Sequence, residues 1–218
     1  MATDESGWLS NSVRDHGYSL VWQAPRRRGM RKAKGRSYRK NDTCVYARKG
    51  KRPHWRINVL LTLSLNPTRP VVHWSWHLGT TDSRKFLEFV QNRVTPRGIQ
   101  YDMLDRHPIH IAVKKLHNEG LPSIKEALAR KQLQADLLPT AHSQYQPIEQ
   151  AFNFIDGCIL KNAPKYASGG QWQLDNMVDV ISKAISNIDH KMVCGWYRES
   201  FRKMYPTRRI PLYLRDVK

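Results

Sequence analysis

Several features common in other protein classes are scarce in this chain of 218 residues. No apolar run approaches the ~20 residues that a helix needs to cross a bilayer, which excludes a helical membrane span. The first residues lack the charged-then-apolar pattern of a secretory signal. The three cysteines, Cys44, Cys158 and Cys194, lie far apart and form no CxxC pair. This argues against a zinc ribbon or a disulfide framework and favours a reducing compartment.

Acidic residues are also scarce. There are 18 Asp and Glu against 37 Lys and Arg, so the net charge is +19. Such an excess predicts a polyanionic partner, with nucleic acid as the first candidate and a membrane surface as the second. The hydrophobic fraction of 40% is ordinary for a globular protein, so the chain can bury a core and one domain is the default expectation.

The positive charge is concentrated in residues 26–56, where Asp42 is the one acid. Glycines scattered through this basic block predict a loop or an irregular hairpin rather than a helix. A solvated surface is the alternative, but this density of cations favours contact with phosphates. The residues predicted to bind DNA are Arg26, Arg27, Arg28, Arg31, Lys32, Lys34, Arg36, Arg39, Lys40, Lys49, Lys51 and Arg52.

After the basic block, strand patterns alternate with helix patterns, which predicts an α/β protein with three layers. The hairpin is predicted to place Trp74 and Trp76 in the core, with a base-stacking surface as the alternative. The predicted strands are 57–65, 72–78, 99–105 and 135–138, and the predicted helices are 83–93, 108–118, 123–132, 147–161, 174–188 and 191–203.

Two acids stand at the ends of neighbouring predicted elements. Asp105 ends an apolar strand, and Glu149 lies in the first turn of a helix that opens with Pro147. Carboxylates so placed suit divalent cations, and in a basic protein the matching substrate is a phosphodiester. Each acid also has an ordinary explanation, because Asp105 can cap a helix and Glu149 can interact with a helix macrodipole.

The residues around these acids resemble the catalytic core of mariner-like DDE transposases, in the integrase and RNase H-like superfamily. That family has a strand followed by Asp-Asn-x-x-x-His, and later Leu-Pro-x-x-Ser-x-x-x-Asn-Pro-Ile-Glu. Its first acid lies in an Asp-Glu-Thr/Ser-Gly motif. The matching residues are Asp4, Glu5, Ser6, Gly7, Asp105, Pro108, Ile109, His110, Leu138, Pro139, Ser143, Pro147, Ile148 and Glu149.

The resemblance implies an RNase H-like three-layer α/β fold with a mixed central sheet flanked by helices. It implies that Asp4, Asp105 and Glu149 are catalytic and together bind two Mg²⁺ or Mn²⁺ ions for DNA cleavage and strand transfer. Residues 1–165 would form the catalytic domain, with the basic loop 26–56 inserted between its first and second strands. Residues 166–218 would add a helical extension with a basic tail. The implied partner is DNA, the implied assembly a homodimer, and the location the nucleus in a eukaryote or otherwise the cytoplasm or nucleoid.

Some positions depart from the family pattern. Only three residues precede Asp4, which predicts a first strand too short to fix a ligand. Arg106 and Gln146 each stand where the family has Asn, which predicts a cation beside the metals and a weaker helix cap. The family's N-terminal helix-turn-helix region has no counterpart, so an N-terminally truncated core with very weak catalysis is expected. Two alternatives stay open: a non-enzymatic DNA-binding remnant of a transposase, and a basic RNA-binding structural protein.

Overall fold

The structure, a computed structural model, describes residues 1–10, 15–18, 43–46, 54–95, 97–138, 145–168 and 171–211. The cations predicted to bind DNA, from Arg26 to Arg52, all lie outside these residues, so their role stays a prediction.

The described residues form nine strands and six helices. The strands are β1 (Ala2–Leu9), β2 (Asp15–Tyr18), β3 (Thr43–Tyr46), β4 (Arg56–Leu63), β5 (Val71–Leu78), β6 (Tyr101–Leu104), β7 (Gln134–Leu137), β8 (Ala167–Ser168) and β9 (Gln171–Trp172). The helices are α1 (Ser83–Asn92), α2 (Val113–Asn118), α3 (Ile124–Arg130), α4 (Pro147–Tyr166), α5 (Leu174–Ser186) and α6 (His190–Met204).

Five strands form the central sheet in the order β5-β4-β1-β6-β7. Strand β4 is antiparallel to both of its neighbours, β5 and β1, whereas β1, β6 and β7 run parallel, so the sheet is mixed. Strands β2 and β3, and likewise β8 and β9, pair as separate two-stranded units.

Both faces of the central sheet are covered by helices. Ile57, Val59 and Leu61 of β4 point to a core shared with α4, α5 and α6. Leu60, on the other face, joins a core shared with α1, α2 and α3. This accounts for the nearly continuous apolar run in β4, because a strand buried on both faces needs no polar alternation. The predicted three-layer α/β arrangement is confirmed.

The first strand differs most from its prediction. β1 is an eight-residue strand at the centre of the sheet, so the expectation of a three-residue strand before a poorly fixed Asp4 is wrong. Its whole length pairs with β4, from Ala2 opposite Leu63 to Leu9 opposite Arg56. The amino group of Met1 also donates to the carbonyl of Tyr101, at 2.6 Å. Residues after Asp4 have weak strand propensity, and pairing with a long apolar neighbour overrides it.

Other boundaries shift by smaller amounts. Helix α2 begins at Val113 rather than at Pro108, and turns occupy residues 108–111. Trp76 is 40% exposed, so its predicted place in the core is wrong, because β5 forms the edge of the sheet where the helical cover ends. Trp74 does pack against the core.

The C-terminal helices join the main body of the protein. Residues of α5 and α6 bury their apolar faces in the same core as α4. The predicted domain division after residue 165 stays a prediction. In the part of the chain that the structure describes, no helix combines the length and apolar character of a membrane span.

Candidate metal centre

Two of the three predicted acids meet where β6 ends beside β1. The strands are parallel, with Ala2 opposite Met103, so Asp4 on β1 comes level with Asp105, which follows the last residue of β6. Sites of open α/β sheets commonly lie at such carboxyl ends. Asp4, Asp105 and His110 each offer a ligand atom, and these atoms all lie within 4.8 Å of one another.

His110 lies between the acids. Its Nδ1 is 2.6 Å from Asp105 Oδ1, and its Nε2 is 2.8 Å from Glu5 Oε2 and 3.9 Å from Asp4 Oδ1. The ring is buried and packs against Phe86, with centroids 4.1 Å apart. Both ring nitrogens therefore face carboxylates, which is the arrangement that stabilises a doubly protonated imidazolium.

The protonation of His110 follows from these contacts. Burial alone lowers the pKa of an imidazole, but the hydrogen bonds with Asp105 and Glu5 and the charges of Glu5 and Asp4 outweigh it. The pKa of His110 is raised to about 10. At neutral pH a positive side chain thus lies among the acids. In the sequence, His110 stood out only as a match to the family pattern, and its spacing of five residues from Asp105 was the signal for this closer role.

Asp4 is held firmly by its surroundings. Its side chain is only 6% exposed in the structure, and Oδ1 accepts a hydrogen bond from the backbone amide of Glu5 at 2.8 Å. Burial, together with the nearby charges of Glu5 and Asp105, raises the pKa of Asp4 well above its ordinary range, although His110 partly opposes this. The carboxylate is therefore crowded by negative charge, a condition that a cation relieves.

Asp105 differs from Asp4 because its surroundings lower its pKa. Burial tends to raise its pKa, but the hydrogen bonds with His110 and with the backbone amide of His107, at 2.9 Å, prevail and lower it. Its charged form is therefore favoured, which suits a metal ligand. Arg106, the next residue, is exposed in the structure.

Glu149 lies in the first turn of α4, as predicted, and is partly buried. Burial and the charge of Asp105 raise the pKa of Glu149, so the two carboxyl groups influence each other across the site. Glu149 is not one of the residues whose ligand atoms lie within 4.8 Å of one another. The structure thus brings Asp4 and Asp105 together with His110 and places Glu149 within electrostatic range.

Gln146 positions the start of α4. Its buried Nε2 donates to the carbonyl of Thr3 at 2.9 Å and to the carbonyl of Met103 at 3.0 Å. One side chain thereby joins β1, β6 and the helix that carries Glu149. In the sequence, Gln146 predicts only a weaker helix cap, because its distant partners are invisible there.

The nearby Asp102 has a different environment. It is fully buried, forms an ion pair with Arg93 and accepts from the hydroxyl of Thr3 at 2.9 Å. Arg93 also donates to Thr3 at 2.5 Å and to Thr62 at 3.1 Å. Among the described residues, Asp102 is thus committed to this internal network and does not join the acids around His110.

The donor set fits a hard divalent cation. Carboxylate oxygens are the ligands that Mg²⁺ and Mn²⁺ prefer, and Asp4 and Asp105 present them in one cluster. The fit is supported by the grouping of the ligand atoms within 4.8 Å of one another, with Asp4 buried beside the charges of Glu5 and Asp105. Asp4 and Asp105, with Glu149 close by, are the residues that would hold such an ion.

Comparison with known proteins agrees with the fold. No protein-family model matches the chain, and no curated protein sequence matches it significantly. Among solved structures, the chain is similar to a crystal structure of the Mos1 mariner paired end complex with Mn, with a TM-score of 0.53 and 10% sequence identity. The match covers 92% of this chain but 51% of that one, so the chain spans about half the length of its structural neighbour. The likeness shows that the chain shares an RNase H-like α/β fold with that structure.

Proposed function

We propose that this chain is a DDE-type transposase or endonuclease domain that cleaves DNA phosphodiesters and transfers strands. Asp4, Asp105 and Glu149 would hold two Mg²⁺ or Mn²⁺ ions. The observation that supports the proposal best is the meeting of Asp4 and Asp105 within one cluster at the end of β6. The net charge of +19 and a structural neighbour that was solved as a paired end complex support DNA as the partner.

The protein's own residues have separate roles in this proposal. When bound, the divalent ions supply an activated water or 3′-hydroxyl and stabilise the leaving oxygen. Asp4 is oriented by a central strand, and Asp105 by the backbone amide of His107. Gln146 holds the helix that carries Glu149 at a constant distance from both strands. Such fixed geometry matters because metal sites need ligands held within fractions of an ångström.

A second candidate is a non-enzymatic DNA-binding remnant with the same fold. The observation that favours it is His110, whose positive charge already lies among the carboxylates and opposes an incoming cation. The proposal also includes a nuclear location in a eukaryotic host, or otherwise the cytoplasm or nucleoid, and a homodimer on DNA.

Titration with Mn²⁺, followed by electron paramagnetic resonance, tests the metal site. We expect Asp4→Asn and Asp105→Asn each to weaken Mn²⁺ binding about tenfold or more, since each removes a charged ligand. The matched control is Asp136→Asn, because Asp136 is an exposed acid on the edge strand β7 that does not belong to the cluster. Equal Mn²⁺ affinities in all variants would contradict the metal site.

Nicking of supercoiled plasmid with Mg²⁺ or Mn²⁺ then separates the two candidates. Nicking that is lost in Asp4→Asn, Asp105→Asn and Glu149→Gln, but not in Asp136→Asn, supports the enzyme. Tight Mn²⁺ and DNA binding without nicking supports the remnant.

A further inference from the structure

Three strands of the central sheet continue past the metal centre. β6 ends at Leu104, whereas β1 continues to Leu9 and stays paired with β4, which in turn pairs with β5. Paired residues of antiparallel strands share a face, so the register defines rows across this extension. Gly7, Asn58 and His77 form one row, and Leu9 and Arg56 form the next. Glu5, which bonds His110, precedes Gly7 by two residues on the same face of β1.

Arg56 folds across this face over Gly7. A Cβ atom added to Gly7 would lie 2.7 Å from both Nε and Nη2 of Arg56, and 2.1 Å from Asn58 Oδ1. These distances are too short for any side chain, so the guanidinium occupies the space that a side chain at position 7 would fill. The absence of a side chain at Gly7 therefore lets Arg56 reach back from its own row toward Glu5, on the face of β1 opposite to Asp4.

Asn58, which holds this guanidinium, is itself fixed by further contacts. Arg56 Nε donates to Asn58 Oδ1 at 2.9 Å, and Asn58 Nδ2 donates to Thr81 Oγ1 at 2.9 Å. The ring of His77 contacts the same hydroxyl at 3.1 Å. Asn58 is almost fully buried, at 2% exposed. Any rotation of the Asn58 side-chain amide would break one of its hydrogen bonds, so Asn58 holds Arg56 in one orientation. Binding of a ligand by Arg56 therefore costs little further side-chain entropy.

Arg56 is exposed, and its charge is not neutralised by any described residue nearby. No carboxylate in the described part of the chain lies within 4 Å of its side chain. An arginine fixed through Nε presents its terminal amino groups as a fork that matches two phosphate oxygens. Two residues along a strand span about 7 Å, so the fork lies about one such step from the Glu5 position at the acidic cluster.

We propose that Arg56 binds a phosphodiester group of the nucleic-acid strand that enters the metal centre, and that Gly7 and Asn58 form the seat for its side chain. The inference rests on the proposed function, because it assumes that a nucleic-acid strand reaches the acids. Its geometry does not depend on metal binding or on cleavage. Arg56 is accordingly a substrate-contacting residue, while Gly7 and Asn58 are positioning residues.

The test measures binding of a short DNA duplex with free ends at several salt concentrations, in EDTA so that no metal takes part. Arg56→Gln should weaken binding about tenfold and reduce the salt slope by about 0.9, the value for one lost phosphate contact. The matched control is Arg69→Gln, which removes an equal charge from the exposed turn at the other end of the same hairpin. It should leave the affinity and slope nearly unchanged.

Gly7→Ala sharpens the test because it changes no charge. Its methyl group displaces the guanidinium, so it should weaken binding about as much as Arg56→Gln, and the double variant should be no weaker than either. Gly157→Ala is the control, since a Cβ there meets nothing within 4 Å. Thermal unfolding of each variant shows that it is folded. If Gly7→Ala does not fold, the comparison of Arg56→Gln with Arg69→Gln still decides.

Each outcome bears on the proposal. Equal effects of Arg56→Gln and Arg69→Gln, or no DNA binding at all, would overturn it. A selective loss in Arg56→Gln together with absent nicking would leave the phosphate contact standing and refute only the catalytic part of the proposed function.

Discussion

Two polar clusters lie between β1 and β6, and they differ in how their charges are balanced. The closed network consists of Thr3, Thr62, Arg93 and Asp102, and one guanidinium there pairs with one carboxylate while both hydroxyls bond. The open cluster consists of Asp4, Glu5, Asp105 and His110, where three carboxyl groups face one imidazolium.

The difference shows how neighbouring positions of one strand serve stability and chemistry separately. Thr3 and Asp4 are adjacent on β1 and point to opposite faces of the sheet, as the two-residue period of a strand requires. The closed network has no charge left for a ligand, and its ion pair is fully buried. The open cluster has more acid than base, and Glu5 and Asp105 remain partly exposed there. We therefore expect changes in the closed network to affect folding first.

The largest effect is expected from breaking the closed network. Asp102→Ala leaves the guanidinium of Arg93 buried without its carboxylate, which should lower the free energy of unfolding by about 3–5 kcal/mol. Urea unfolding measures this loss. The double change Asp102→Leu with Arg93→Met removes both charges and should cost much less. If Asp105→Ala lowers the free energy of unfolding as much as Asp102→Ala does, the expected difference in stability between the two clusters is wrong.

A smaller, pH-dependent effect is expected from the open cluster. The pKa of His110 in the folded protein, about 10, lies above its ordinary value of 6.5. The stability that its imidazolium contributes with Asp4, Glu5 and Asp105 is thus complete below about pH 6.5 and declines as the pH rises toward 10. His110→Gln should lose roughly 2 kcal/mol at neutral pH, as expected for charge-assisted hydrogen bonds, and most of this slope.

Urea unfolding across this pH range tests the prediction. The control is His107→Gln, because His107 is half exposed, lies beside the same cluster and is 3.8 Å from Glu5. A slope that persists in His110→Gln would show that another group is responsible.

The smallest effect is expected at Gln146, which links β1 and β6 beside the two clusters. Gln146 bonds the carbonyl of Thr3 and the carbonyl of Met103, so Gln146→Leu should cost about 1–2 kcal/mol by leaving these acceptors without their donor. Because α4 would then be less well fixed, Mn²⁺ binding should also weaken a few-fold. An unchanged Mn²⁺ affinity at reduced stability would mean that Gln146 supports only the fold.

Much of the fold could be predicted because its signals are local. The pattern of 83–93 placed α1 to within a residue, and in the structure Asp82 caps this helix by accepting from the amide of Lys85 at 2.9 Å. The predicted helix 123–132 likewise corresponds to α3, where the structure shows a complete capping box of Ser123 and Glu126. Such patterns depend on residues three or four apart, which the sequence displays directly.

The candidate site could be predicted only in part. The acids Asp4, Asp105 and Glu149 were found through motif resemblance, and their catalytic and metal-binding roles stay predictions. The places of His110 and Gln146 depended on contacts between residues far apart along the chain. Glu5 and His110 are 105 residues apart, and Gln146 is 143 residues from Thr3, so no local pattern relates them.

By itself, the sequence determined the basic charge, the α/β order, the helix starts at Asp82, Ser123 and Pro147, and the burial of β4 on both faces. Only the tertiary structure decided that β1 runs to Leu9, that Asp102 belongs to Arg93 rather than to the acids, and that Gly7 makes room for Arg56. The physical reason is that composition, capping and periodicity act within a few residues. Strand pairing, by contrast, joins distant segments and so selects which side chains share a face.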